Sequence, residues 1–277
     1  MFNNSHTGIS FSDGMIYFTK LKKTFSGFEL AGYGQKELPS GLFENGKIKD
    51  KEELVKVLRA LRAEQNIRSA FVAVPTDDEG LIENFEEAFN LAGITIKEIE
   101  TEGEAIFRSV VPVESYDEYM IVNIRNSTTG IYIVADRKVA FETNINIGGD
   151  TIMKITEEKT THERGLDREV VTSMISSAVM TGVQILREEV NKYFVRWHTR
   201  RDATDPERPM INKVILCGDA SYLKGLDEYF TVTLKTNTEF ANVWMNILEP
   251  SKKIPELTYK ESLSFAGALG AALKGFK

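Results

Sequence analysis

Two distant stretches of the chain carry the same local pattern, and this repetition constrains the fold more than any other feature. Residues 8–20 read Gly-Ile-Ser-Phe-Ser-Asp-Gly-Met-Ile-Tyr-Phe-Thr-Lys. Ile9 and Phe11 alternate with polar residues, Ser12-Asp13-Gly14 is a turn signal, and Ile16 and Phe18 resume the alternation. Period-two alternation on both sides of a short polar tip describes a β-hairpin. Residues 119–135 repeat it, with a small polar turn at 125–130, and an Ile-Tyr pair follows each turn (Ile16-Tyr17, Ile131-Tyr132). A third strand is expected after each hairpin, over 28–36 following the Ser26-Gly27 turn and over 138–147, where Gly148-Gly149-Asp150 stops it. Each half then continues into helix, which fits a duplicated α/β chain. Two unrelated three-stranded meanders would read the same way, so the pattern alone leaves both open.

The intervening segments supply the helices. Asp50 is placed as an N-cap with Glu53 completing a capping box, ahead of Leu54, Val57, Leu58 and Leu61 at helical spacing. Residues 70–75 read as a short buried strand, 81–91 as a helix closed by Gly93, 94–99 as a strand and 102–110 as a helix apolar on one face. The longest helix is expected over 168–197, and 198–209 reads as a charged loop. A strand at 213–217 meets a Gly218-Asp219-Ala220-Ser221 turn and a helix at 223–230. The final helix, 261–276, is rich in Ala and Gly and suited to close packing. The domains expected are 1–115 and 116–277, with 151–210 a helical subdomain and 262–277 a closing helix able to pack back on the first domain.

Composition removes several function classes. The 277 residues carry 34 Lys+Arg against 41 Asp+Glu, a net charge of −7, which argues against holding nucleic acid by general basic charge. The single Cys217 rules out a disulfide framework and a cysteine-rich zinc site. His6, His162 and His198 have no ligand partner at helical spacing, so no metal site is expected. No serine lies in a Gly-x-Ser-x-Gly elbow. Asp77-Asp78-Glu79 and Arg200-Arg201 read as solvated loops, and Trp197 and Trp244 as packing. No apolar run is long enough to cross a membrane, and residues 1–6 lack the order of a signal peptide. A cytoplasmic protein is expected.

Three polar turns stand at strand ends: 10–14, 123–130 and 218–221. Such turns present backbone N–H groups, and a helix start adds positive dipole, so each is a candidate grip for phosphate. Hairpin and αL corners look the same, so no single turn is specific.

Taken in order, these motifs resemble the PilM family of actin-like type IV pilus assembly proteins, relatives of the division protein FtsA. The resemblance runs from Gly8 to Phe276. Ser10, Ser12, Asp13 and Gly14 match the first phosphate loop, and Val122-Asn-Ile-Arg-Asn-Ser-Thr-Thr the second, through Asn123, Arg125, Asn126, Ser127 and Thr128. Gly46-Lys47-Ile48-Lys49-Asp50 matches the family's lead into helix. Ile147-Gly148-Gly149-Asp150 matches its Gly-Gly turn, and Leu216-Cys-Gly-Asp-Ala-Ser-Tyr-Leu-Lys-Gly-Leu its adenosine motif, through Gly218, Asp219 and Ser221. Glu102 matches a glutamate on the crossover helix that can orient a water. The resemblance implies an actin-like, ribonuclease H-like fold of two duplicated α/β domains around a nucleotide cleft.

The departures from the family bear on chemistry. Its first loop carries Asp where this chain has Ser10, and its second carries Asp-x-Gly where this chain has Asn123-Ile124-Arg125. Those carboxylates hold Mg²⁺, which wants hard anionic oxygens. Arg125 for Gly costs close backbone approach to phosphates, although a guanidinium can pair with them. Asp219 replaces a second Gly at the nucleoside edge. Weak ATP binding or none, without useful hydrolysis, is therefore expected. The alternatives are an active ATPase or small-molecule kinase of the same superfamily, working through Asp13, Asp150 or Glu102, and a filament-forming relative. The inserted subdomain called 1C in FtsA is reduced to almost nothing here, because 67–75 runs directly into 81–94. In PilM the groove beside it receives the cytoplasmic tail of the inner-membrane protein PilN. Loss of most of that subdomain would reshape the contact. The partners the resemblance implies are a PilN-like tail and other pilus platform proteins, with self-association open. With no amphipathic tail following Phe276, the membrane would be reached only through a partner.

Overall fold

The structure, a computed structural model, describes residues 5–12, 14–25, 27–39, 41–44, 47–75, 78–160, 168–199, 210–247 and 255–276. Asp13, Ser26, Gly46, Asp77, His162, Arg200, Arg201 and the rest of the 200–209 loop lie outside them. The chain divides into two units, Met1–Ser115 with Ala241–Lys277, and Tyr116–Phe240.

In unit 1, alternation forms the expected meander of β1 (Ser5–Ser12), β2 (Met15–Thr24) and β3 (Gly27–Glu37). A small ladder of β4 (Phe43–Glu44) with β5 (Lys47–Ile48) follows. Next come α1 (Lys51–Gln65), β6 (Ser69–Val74), α2 (Glu79–Ala92), β7 (Thr95–Thr101) and α3 (Glu102–Val110). The sheet order is β3-β2-β1-β6-β7, with β1, β6 and β7 parallel. Asp50 caps α1 by accepting from the Glu53 N–H at 2.9 Å. The reciprocal half of the expected capping box gives way to an ion pair, because the Glu53 carboxylate takes Lys56 at 2.7 Å. Asp78 caps α2, and Gly93 closes it at φ 74°, a conformation that suits glycine. Ile9, Leu54, Leu58, Phe85 and Phe89 fill the space between this sheet and α1 and α2.

Unit 2 repeats the plan with β8 (Tyr119–Ile124), β9 (Thr129–Ala135), β10 (Lys138–Ile145), α4 (Gly149–Thr160), α5 (Arg168–Thr199), β11 (Lys213–Cys217), α6 (Leu226–Leu234) and β12 (Asn237–Phe240). Its order, β10-β9-β8-β11-β12, is the same two antiparallel and two parallel steps. The core gathers Val122, Ile133, Leu186, Val190, Trp197, Leu216 and Phe230.

Three local readings are corrected. Gly148-Gly149 does not merely end a strand but starts α4, because the N–H groups of Gly149 and Asp150 are held by the carbonyls of Arg125 and Asn126 at 2.9 and 2.8 Å. The helix after the 218–221 turn begins at Leu226 rather than 223, behind Gly225 at φ 80°. The single final helix is three pieces: α7 (Tyr259–Ser262), a 3-10 turn at Leu263–Phe265 and α8 (Ala266–Lys274).

Residues 262–277, read from sequence as the closing helix of the second domain able to pack back on the first, fall in unit 1 together with 241–261. Small residues make this seat possible. A Cβ on Gly8 would lie 1.9 Å from the Ala268 carbonyl oxygen, and one on Gly270 1.6 Å from that of Ala105. Thr19 donates to the Ala268 carbonyl at 3.0 Å. Arg108 binds the Gly270 carbonyl and Glu100, each at 2.6 Å, while Lys274 pairs with Glu98 at 2.9 Å.

Candidate functional site

In unit 1 the candidate residues lie where β1 ends. Ser10 sits between Tyr17 of β2 and Ala73 of β6 and is 3% exposed. Gly267 of α8 presses on it, since a Cβ there would lie 3.0 Å from Ser10 Cβ and 3.2 Å from its Oγ. The same Cβ would be 3.8 Å from Glu102 Cγ, so Ser10, Gly267 and Glu102 converge. Glu102 is buried in the first turn of α3, where the helix dipole favours a carboxylate. Thr101, its N-cap, makes no side-chain capping bond. Ser12 and Gly14 form the tight turn itself, with the Gly14 N–H donating to the Ser12 carbonyl at 2.7 Å.

In unit 2 the candidates gather more tightly. Asn123 is 3% exposed, opposite Gly130 on β9 and Cys217 on β11, and its Oδ1 accepts from the Cys217 thiol at 3.7 Å. Gly218 has φ 102° and lies against it, because a Cβ there would meet the Ile124 carbonyl oxygen at 2.3 Å and Asn123 Oδ1 at 2.5 Å. Only glycine combines that close approach with that backbone. Ser221 is fully buried and returns its hydroxyl to the Gly218 carbonyl at 2.7 Å. Asp219 shares this turn, with Oδ1 buried.

Arg125 is 4% exposed, an unusual place for a guanidinium. Its Nε donates to Thr128 Oγ1 at 3.0 Å and its Nη2 to Asn144 Oδ1 at 2.6 Å, both neutral acceptors. The loop also closes on itself through the Arg125 N–H and the Thr128 carbonyl at 2.9 Å. Asn126 and Ser127 are exposed at its crown. A Cβ on Gly148 would strike the carbonyl oxygens of Arg125 and Asn126, each at 2.5 Å, and one on Gly149 would meet Ala220 Cβ at 2.7 Å. The donors expected to serve an anion are partly committed: the N–H of Gly149, Asp150 and Ala220 go to the carbonyls of Arg125, Asn126 and Ile124.

Sequence reasoning missed Asn144, which anchors Arg125 from β10 and lies outside every motif, and Gly267, whose only signal is the Ala/Gly richness of the last helix. Other polar groups have structural partners. His198 accepts the Ile211 N–H on Nε2 at 3.2 Å, which makes Nδ1 the donor to the Phe194 carbonyl at 2.7 Å. Cys217 is buried and in no disulfide. Among the described residues no cluster of His, Cys, Asp or Glu is arranged to hold a metal, and no helix is long and apolar enough to cross a membrane.

No protein-family model and no curated protein matches the sequence. Solved structures do match the fold. The chain is similar to a structure described as the PilM-PilN type IV pilus biogenesis complex, with a TM-score of 0.76, 15% identity and 98% of each chain covered. It is similar to the ethanolamine utilization protein EutJ of Carboxydothermus hydrogenoformans, with a TM-score of 0.69, 17% identity, 97% of this chain and 89% of that one. MreB 5 of Spiroplasma citri bound to AMPPNP follows at a TM-score of 0.66, 10% identity, 98% of this chain and 95% of that one. At these identities the likeness speaks for the fold, and the fold of this chain is actin-like, a mixed five-stranded sheet built twice.

Proposed function

We propose that this protein is a cytoplasmic actin-like scaffold of type IV pilus or related secretion assembly, which docks on an inner-membrane platform through a PilN-like tail and has a degenerate nucleotide site. The observation that carries the second part is the chemistry at Ser10 and Asn123. Both are 3% exposed and neutral, one pressed by Gly267 and the other engaged with Cys217. Mg²⁺ binds through hard, anionic oxygens and keeps several waters, and these two side chains do not fit it. Arg125, which a phosphate could have recruited, is directed to Thr128 and Asn144 instead. The first part is supported by the 98% mutual coverage with a PilM-PilN complex.

Calorimetric titration with Mg-ATP, with ATP in EDTA, and with the cytoplasmic tail peptide of a PilN-like protein tests both. Tail binding that is indifferent to nucleotide is the expected result. Micromolar Mg-dependent ATP binding with phosphate release would reject the degenerate site, and absence of tail binding would reject the docking role.

A further inference from the structure

The end of the unit 1 sheet remote from Ser10 and Ser12 has a different character. There the β2–β3 hairpin closes with Thr24 opposite Gly27, and Lys22, Lys23 and Phe25 are exposed at its tip. Phe25 is 110% exposed, the highest of the large apolar side chains described. Pairing register brings further cations to this end. Ser5 lies opposite Lys22, and Gly8 opposite Phe71, so exposed Arg68 precedes β6 at the same edge. Exposed Lys97 stands on β7 beside it, where Ala70 pairs with Ile96. Lys97 is close enough to add to the effect of burial in holding His6 below the usual imidazole range. Among the described residues, Lys22, Lys23, Arg68 and Lys97 form no ion pair. The acids nearby are Glu29, opposite Lys22, and Glu98, which Lys274 holds at 2.9 Å. On a chain of net charge −7 the sign is locally reversed.

Single exposed apolar residues are ordinary. An aromatic ring at the apex of a hairpin, flanked by cations that outnumber the acids beside them on an acidic protein, is less so. Phe25 buries nothing in the fold. A protein partner would need a pocket shaped for one projecting ring, whereas a bilayer accepts it anywhere. Aromatic rings settle at the level of lipid headgroups, and lysines nearby gain from anionic lipid phosphates. We propose that the β2–β3 hairpin tip contacts an anionic phospholipid surface, with Phe25 at the headgroup–acyl boundary and Lys22, Lys23, Arg68 and Lys97 facing the phosphates. The contact is weak by itself, because the net negative charge opposes approach. It does not rest on the scaffold reading and is measured on the chain alone.

The test is co-sedimentation with phosphatidylglycerol-rich vesicles and with pure phosphatidylcholine vesicles, at low and raised salt. Binding to the first at low salt, and none to the second, is expected. The Lys22→Glu/Lys23→Glu double variant should lower partitioning about tenfold or more, since each lipid-facing cation contributes roughly fivefold. In Phe25→Trp, the tryptophan emission should shift to the blue on phosphatidylglycerol vesicles beyond any change in the parent. All these positions are exposed, so an unchanged melting temperature separates lost binding from unfolding. Equal binding to both vesicle types, full binding by the double lysine variant, or no extra blue shift would each overturn the proposal. Capture of a polyglutamate peptide without vesicle binding would assign the lysines to an acidic protein partner and overturn it too.

Discussion

The two units share a strand order but not a loop chemistry. In unit 1 the first hairpin turns tightly, β1 ending at Ser12 and β2 beginning at Met15. In unit 2, β8 ends at Ile124 and β9 begins at Thr129, and the longer loop is filled by Arg125. Ser10 and Asn123 occupy corresponding positions, each between an antiparallel and a parallel neighbour, and both are buried. The connection from third to fourth strand holds one 15-residue helix in unit 1 but two, of 12 and 32 residues, in unit 2. A sheet order is fixed by burial of apolar faces, while the loops at strand ends are free to diverge, so shared architecture does not guarantee shared ligand chemistry.

The comparison breaks most visibly at the glycines that seat α8, for which unit 2 has no equivalent element among its described residues. Gly8→Ala and Gly270→Ala each drive a methyl group into a backbone carbonyl that cannot yield. Each is expected to destabilise unit 1 by about 3 kcal/mol or more. Denaturant titration gives the magnitude, and hydrogen exchange should show the loosening in β1, β6 and α3 before β8 and β9. Exchange that rises equally in both units would contradict the assignment of α8 to unit 1.

A smaller effect is expected from unit 2's buried arginine. Arg125→Ala leaves Asn144 and Thr128 without their donor and opens a cavity, a loss of about 2–3 kcal/mol. Arg125→Lys should recover little, because an ammonium cannot reproduce the two-pronged geometry. Equal stability of the alanine variant and the parent would mean that the loop is not held by this side chain. Asn123→Asp sharpens the same contrast by placing a carboxylate at a 3% exposed position. A cost of roughly 1–3 kcal/mol is expected near neutral pH. Burial raises the folded-state carboxyl pKa, so the cost should fade as acid protonates the group. If Mg-ATP restores the stability of Asn123→Asp, the unit 2 loops have kept a metal-binding geometry and only the charge was lost.

What the sequence revealed, and what it hid, follows the same division. The first hairpin was readable because alternation is a local signal, the second because two apolar runs flank a short polar turn, and α3 because its apolar residues fall on one face. The start of α4 was not readable. Two glycines predict a break, and the helix begins there only because carbonyls from a distant loop hold its first N–H groups. Asn123, Arg125, Gly148 and Gly218 come to one place, in loops that the family resemblance had grouped. The Arg125–Asn144 bond was invisible, since nothing local distinguishes an asparagine on an edge strand that faces a buried guanidinium from one that faces water. The turn at Ser26-Gly27 was legible, but Arg68 and Lys97 arrive at that end of the sheet only through parallel pairing.

The smallest expected effect concerns Glu118, at the end of the unit 2 sheet remote from Arg125. It is 6% exposed, and its Oε2 is buried without a hydrogen-bond partner. Burial raises its pKa above the usual carboxylate range and nearby Asp136 and Asp117 add to this, while the Asp136 backbone N–H pulls the other way. The folded state therefore favours the protonated acid more than the unfolded chain does. That contribution is fully present below the unfolded pKa and is lost as pH rises through the folded one. Glu118→Gln keeps an acceptor for the Asp136 N–H and removes the charge. It should raise the melting temperature by a few °C at most near pH 7.5, in line with about 1 kcal/mol or less, and leave it unchanged near pH 4. A melting temperature lowered near pH 7.5 but unchanged near pH 4 would show that the carboxylate is held by attraction rather than strained by burial.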